Sequence, residues 1–138
     1  MPEVSVIIPV YNNERFVEKC IRSVMEQTFR DLEILVVNDG STDRSGEILE
    51  RLAAGDSRIV YISQENRGVA AARNRAFDIA SGKYLTFVDG DDYIGRDYIS
   101  QLYAAAEQKS TEMLICGLTC VDAEGKILSQ IVPGEYQR

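Results

Sequence analysis

The chain contains no histidine. That absence removes a Ser-His-Asp triad, a Cys-His pair and any His-ligated zinc, and leaves general-base work to Asp or Glu. Cysteine is scarce: Cys20, Cys116 and Cys120 stand without CxxC spacing. An odd, sparse set of this kind reads as reduced thiols in a cytoplasmic protein, chiefly serving as small buried hydrophobes. No GxGxxG or GxxxxGK[ST] loop occurs, so a backbone cradle for phosphate is not indicated. The start, Met1-Pro2-Glu3-Val4, lacks a basic n-region and does not read as a signal peptide. No apolar stretch approaches the length of a membrane span. Positive charge is also in deficit: the net charge of −7 argues against nucleic acid as a partner. What remains is 138 residues, 45% hydrophobic and 27% charged, enough for one soluble domain with a core of its own.

Apolar runs alternate with helical patterns along the chain. Val4 to Val10, Glu33 to Val37, Arg58 to Ser63 and Lys83 to Val88 read as buried strands. Asn12 and Asn13 are expected to cap a first helix, on which Val17, Cys20, Ile21 and Val24 share a face. Ser41, Thr42 and Asp43 are expected to cap a second helix running to about Ala54. Gly68 to Ala80 reads as a third, Ala-rich helix with Val69, Ala72, Ala76 and Ile79 inward, stopped by Ser81-Gly82. Tyr98 to Gln108 is a fourth, with Ile99, Leu102, Tyr103 and Ala106 on one side. Met113 to Leu118 and Thr119 to Val121 are strand-like. After the turn Asp122-Ala123-Glu124-Gly125, Ile127 to Val132 can return as a C-terminal β-hairpin.

This alternation predicts right-handed βαβ crossovers and a mainly parallel sheet with helices on both faces. Ligands bind such sheets beyond the carboxyl ends of the strands. Each of the four strand ends is followed by polar residues: Tyr11, Asn12 and Asn13; Asn38, Asp39 and Gly40; Gln64, Glu65 and Asn66; and Asp89, Gly90, Asp91 and Asp92. Four strand ends agreeing is a site-level signal.

The last group is the most pointed. Asp89, Asp91 and Asp92 place three carboxylates in four residues directly after an apolar strand. Such neighbours raise one another's pKa unless a cation intervenes. A divalent metal bridging to phosphate answers that need, because hard cations prefer oxygen ligands. A solvated capping loop is the plainer reading. Asn38 to Asp43 can likewise be only a turn and cap, or Asp39 can accept hydrogen bonds from a nucleobase or ribose. Arg73 lies beside the inward stripe of the third helix. It can cover apolar surface with its stem, or pair in a cleft with a carboxylate, phosphate or ribose.

Three blocks together resemble the family 2 glycosyltransferases, inverting enzymes with a GT-A nucleotide-sugar-binding fold. They are Val4 to Asn12 (VSVIIPVYN), Glu33 to Asp43 (EILVVNDGSTD), and Asn66-Arg67-Gly68 through Ala71-Ala72-Arg73-Asn74 to Phe87-Val88-Asp89-Gly90-Asp91-Asp92. The resemblance implies an α/β, Rossmann-like sandwich, a single nucleotide-sugar-binding domain over residues 1–138 and a donor-nucleotide core over 1–92. It implies that Pro9 and Tyr11 line a base pocket, that Asp39 hydrogen-bonds the base, usually uracil, and that Asn12, Asn66 and Arg73 lie at the nucleotide. Asp89-Gly90-Asp91 matches the family's DxD motif. Asp91 would then ligate Mn²⁺ or Mg²⁺ on the diphosphate, Asp89 would touch ribose or metal, and Asp92 is a further candidate ligand.

The implied partners are a nucleotide-sugar donor, UDP-linked by resemblance, and a saccharide or lipid-linked acceptor. The implied setting is the cytoplasm, with the inner face of the membrane as an option for a full-length protein. Members of this family usually extend past 138 residues, and the missing part supplies the acceptor site and the catalytic base. Glu107, Glu112, Asp122, Glu124 and Glu135 read as surface or turn acids, so the base is expected beyond residue 138 and the chain is expected to be C-terminally truncated. A nucleotide-sugar-binding module without turnover is the alternative. A phospho-acceptor signalling domain fits poorly, because neither Lys109 nor Lys126 is placed to serve one.

Overall fold

A computed structural model describes residues 1–133. The chain divides into two compact units, Met1–Ser100 and the residues from Gln101 onward. In the first unit, β1 (Val4–Val10), β2 (Leu32–Asp39), β3 (Ile59–Gln64) and β4 (Tyr84–Phe87) form one parallel sheet in the order β3-β2-β1-β4. Between them run α1 (Val17–Met25), α2 (Ser45–Gly55) and α3 (Val69–Phe77). The mainly parallel α/β architecture is therefore the one expected.

The two central strands are the most apolar runs, and β1 is buried along its whole length. Alternation along a strand sends neighbouring side chains to opposite faces. Ile7, Leu35 and Val37 point to one face and pack on Ala72 and Ala76 of α3, with Ile62 and Ala80 at the margin. Alanine at those two positions lets the helix backbone sit close to the sheet. α2 packs on β2 and β3 from the other side, with α1 beside it. There Gly46 comes so near that a Cβ would lie 3.0 Å from Asn38 Nδ2 and 3.6 Å from the Tyr61 hydroxyl. Each fully buried aliphatic side chain, such as Ile7, Ile8 or Ile34, contributes roughly 1.5–3 kcal/mol.

Several local expectations are corrected. Asn12 and Asn13 do not cap α1, which starts at Val17. The Asn13 backbone carbonyl, rather than either side chain, accepts from Phe16 N and Val17 N at 2.9 and 2.8 Å. Ahead of α2 only Asp43 bonds forward, taking Ser45 N at 2.9 Å. Ser41 and Thr42 face Asn12 instead. On α3 the inward stripe narrows to Ala72 and Ala76. Val69 and Ile79 are 53% and 46% exposed, because Val69 lies at the open mouth of the helix and Ile79 falls beyond its last regular turn.

The first unit closes at the start of α4 (Tyr98–Lys109). Buried Gln27 ties this region to the end of α1, donating to Gly95 O at 2.6 Å and accepting from Ile99 N at 3.0 Å. In the second unit, β5 (Leu118–Val121) and β6 (Ile127–Ile131) make the expected antiparallel hairpin. The strand expected over Met113 to Leu118 is absent apart from Leu118. β6 begins its pairing at Leu118↔Ile131, so it has no residues left for the earlier stretch. Expected strand residue Val132 lies just past the end of β6, and Glu135 lies outside the described residues.

Candidate functional site

The strand order creates a switch point. The chain moves outward from β1 to β2 to β3, then returns across α3 to place β4 on the far side of β1. The loops at the carboxyl ends of β1 and β4 therefore diverge, which opens a crevice there. A cleft of about 500 Å³ occupies this position. Its lining includes Pro9, Tyr11, Asp39, Asn66, Arg73, Asp89 and Asp91. Residues far apart in sequence are thus gathered at one rim.

Asp39 ends β2 and is only 2% exposed. Its Oδ1 accepts from Gln64 Nε2 at 2.8 Å and Arg67 N at 2.9 Å, and its Oδ2 accepts from Gly68 N at 2.8 Å. Burial pushes this carboxyl's pKa up, but the three donors outweigh it and hold the pKa below the ordinary value. The carboxylate thus clamps the loop that leads into α3. Gly40 makes the close approach possible. It has φ of +70°, and a Cβ there would fall 2.5 Å from Asn66 N.

The acidic loop is folded as a turn, with Asp92 N bonded to Asp89 O at 2.9 Å. The same carbonyl accepts from Cys20 Sγ at 3.3 Å. Burial, then the charges of Asp92, Asp91 and Asp89, push the Cys20 thiol up to about 12, so it stays protonated and able to donate. Gly90 is buried against the end of β1, where a Cβ would meet Asn13 Nδ2 at 2.7 Å and Pro9 O at 3.1 Å. Arg73 reaches from α3 to Asp89, with Nη2 to Oδ1 at 2.6 Å. Asp92 has its carboxyl pKa raised, first by burial and then by the charges on Asp91 and Asp89.

Among the described residues no group of three acids, histidines or cysteines is arranged to hold a metal unaided. The donor set nevertheless suits a hard cation. Asp89 and Asp91 line the same cleft, and Mg²⁺-type sites are commonly built from one or two carboxylates completed by substrate phosphates.

Two sequence candidates lie outside the lining. Asn12, at φ of +50°, turns its side chain to the β2–α2 loop, where Oδ1 accepts from Thr42 N at 2.8 Å and Asp43 N at 3.3 Å. Asp92 follows the turn without facing the cleft wall. Sequence reasoning put Asn13 at this rim without giving it a site role, and passed over Val69 as a lining residue and the bond from Cys20. The paired Asn-Asn at a strand end was the available signal for Asn13. Cys20 gave none, because its partner is 69 residues away.

The chain belongs to the glycosyl transferase family 2, whose family model matches residues 5–131. It is 52% identical over 101 residues to glycosyltransferase GlyA of Streptococcus pneumoniae, covering 73% of this chain and 14% of that protein. Among solved structures, S. aureus TarS 1-349 in complex with UDP superposes with a TM-score of 0.72 at 31% identity, covering 78% of this chain and 32% of that one. The mannosyltransferase PcManGT from Pyrobaculum calidifontis, in complex with GDP-Man and Mn²⁺, gives 0.69 at 28% identity, covering 89% and 37%. The chain thus spans well under half the length of these proteins. Its fold is the GT-A type that the resemblance implied.

Proposed function

We propose that residues 1–92 form the donor-nucleotide core of an inverting glycosyltransferase. The cleft takes a nucleoside-diphosphate sugar, UDP-linked in the first instance, with Mn²⁺ or Mg²⁺. The sugar passes to a saccharide or lipid-linked acceptor in glycan assembly. The observation carrying this reading is the convergence of Asp39, Asn66, Arg73, Asp89 and Asp91 on one cleft at the switch point. The UDP complex of TarS and the GDP-Man and Mn²⁺ complex of PcManGT support it. No helix among the described residues is long and apolar enough to cross a membrane. A cytoplasmic setting suits the sparse, odd number of cysteines.

In this reading Pro9 and Tyr11 flank the base. Asp39 offers it a remaining acceptor position, since a carboxylate has about four and three are taken. Asn12 acts indirectly, by locking the β1–α1 loop to the β2–α2 loop. Asn66 is held at the cleft by the Asp39 clamp. Asp91 and Asp89 would hold the cation, with Asp92 adjoining. When bound, the cation stabilises the charge gained by the leaving diphosphate. The acids lining the cleft, Asp39, Asp89 and Asp91, all take donor-side roles in this reading, and none of them is assigned as the base that deprotonates the acceptor.

Calorimetric titration of UDP with and without Mn²⁺ tests the reading. Mn²⁺ is expected to tighten UDP binding to the wild type by about tenfold or more, and Asp91→Ala to remove that gain. Equal UDP affinity with and without Mn²⁺ in the wild type would count against it.

A further inference from the structure

The guanidinium of Arg73 is only partly satisfied in the cleft. Its Nη2 donates to Asp89 Oδ1 at 2.6 Å, while its Nε is buried and bonds to no described residue. Arg58 also has a buried nitrogen, Nη1, without a partner among the described residues, but its pair differs in geometry and burial. Its Nε and Nη2 both grip Asp56, at 3.0 and 2.7 Å, and Nη2 also reaches Met25 O at 2.9 Å. Arg73 touches its carboxylate partner at a single point, and its guanidinium lies over the Phe87 ring, 5.9 Å from the centroid. Its side chain is 39% exposed and that of Asp89 49%, against 23% and 14% for Arg58 and Asp56. An exposed, one-point pair is weak and readily exchanged. The planar fork of arginine is suited to two-point contact with phosphate oxygens.

We propose that Arg73 is a resident counterion of the acidic loop. It neutralises Asp89 while the cleft is empty, and gives up that carboxylate for diphosphate oxygens when donor and cation bind. The proposal rests on the donor-site reading above. Its consequence is competition: Arg73 and a divalent cation both seek Asp89, so the cation alone binds poorly. A diphosphate gives Arg73 another partner and frees Asp89. Cation and nucleotide binding are then positively coupled, and Arg73 carries part of that coupling.

Mn²⁺ binding followed by electron paramagnetic resonance tests this on the wild type, Arg73→Gln and Arg73→Lys, each with and without saturating UDP. Arg73→Gln is expected to bind Mn²⁺ alone about threefold to tenfold more tightly than the wild type, and to lose coupling to UDP by a similar factor. Unchanged or weaker binding of Mn²⁺ alone, in a variant with a wild-type unfolding midpoint, overturns the proposal. If Arg73→Gln lowers that midpoint, Arg73→Lys is read instead. It is expected to show a smaller rise, and no rise overturns the proposal. A wild type without any Mn²⁺–UDP coupling overturns the donor-site reading itself. Intact coupling that Arg73→Gln leaves unchanged overturns only the counterion role.

Discussion

The two rims of the sheet treat their polar groups in opposite ways. At the amino end, Glu33 Oε1 accepts from Ser5 Oγ at 2.5 Å, Ser81 N at 2.7 Å and Ser81 Oγ at 3.1 Å, while Gly82 N donates to Ser5 Oγ at 2.8 Å. Nearby, Asp56 and Arg58 form their two-point pair. At the carboxyl end, Asp91 lies exposed, Asp92 resists ionisation, and Arg73 Nε has no partner among the described residues. One rim spends its polar groups on closing the fold. The other holds a rigid frame, built around Asp39 and Gly90, and leaves charge facing the cleft. Arg58 Nη1 is also buried without a partner among the described residues, so the contrast lies in the crowded carboxylates facing the cleft, a pattern common at binding sites.

That contrast can be broken first at the closed rim. In Gly82→Ala the new Cβ would lie 2.6 Å from Ser5 N and 2.8 Å from Val4 C, both backbone atoms that cannot swing aside. A loss of about 1–3 kcal/mol is expected in urea unfolding, with the UDP affinity of the folded fraction unchanged. A wild-type unfolding midpoint would show that the rim is looser than described.

Asp39→Asn probes the frame of the open rim. Asparagine replaces an acceptor oxygen with an amide that must face N–H donors, at an expected cost of about 1–3 kcal/mol. Hydrogen exchange at the Arg67 and Gly68 amides should accelerate. Unaltered exchange there would remove the clamp from the account.

The smallest effect is in pH. Burial pushes the Glu33 carboxyl pKa up, but bonds from Ser5, Ser81 and Gly82 more than compensate, so its folded pKa lies below the ordinary value. The unfolded value is about 4.3. The unfolded state therefore takes up the proton first as pH falls. The stabilisation is present above the unfolded pKa and is lost as pH drops through the folded one. Glu33→Gln should flatten the stability profile in that acid window and leave it parallel to the wild type near neutrality. An unchanged acid slope would assign the dependence to another carboxylate.

The division between the rims also explains what was legible in the sequence. Val4 to Val10 and Glu33 to Val37 are runs apolar enough to declare buried strands, and the polar residues after them could be placed at the carboxyl rim by chain direction alone. Asp39 followed from that logic, as did Asp89 and Asp91 after Lys83 to Val88, while Arg73 was read from its place beside the inward stripe of the third helix; the family resemblance joined them. The frame was not legible, because its bonds cross between loops. Asn12 reaches Thr42, Cys20 reaches Asp89, and Gly90 packs on Pro9. Such contacts depend on the strand order β3-β2-β1-β4, which periodicity does not encode. Asn12 and Asn13 looked like helix caps because local propensity favours asparagine there, and tertiary hydrogen bonds took the side chain of Asn12 elsewhere. Val69 and Ile79 fitted a helical stripe, but lay where the helix ends leave them exposed.

The central claim is that ligand chemistry belongs to the carboxyl rim alone. Amide chemical-shift mapping during a titration with UDP and Mg²⁺ tests it most directly. The account predicts that shifts concentrate at Gly40, Gly68 and Gly90 and at residues beside Arg73, while Ser81 and Gly82 at the opposite rim stay in place. Shifts centred on Ser81 and Gly82, or none at the carboxyl rim at saturating UDP and Mg²⁺, would contradict it.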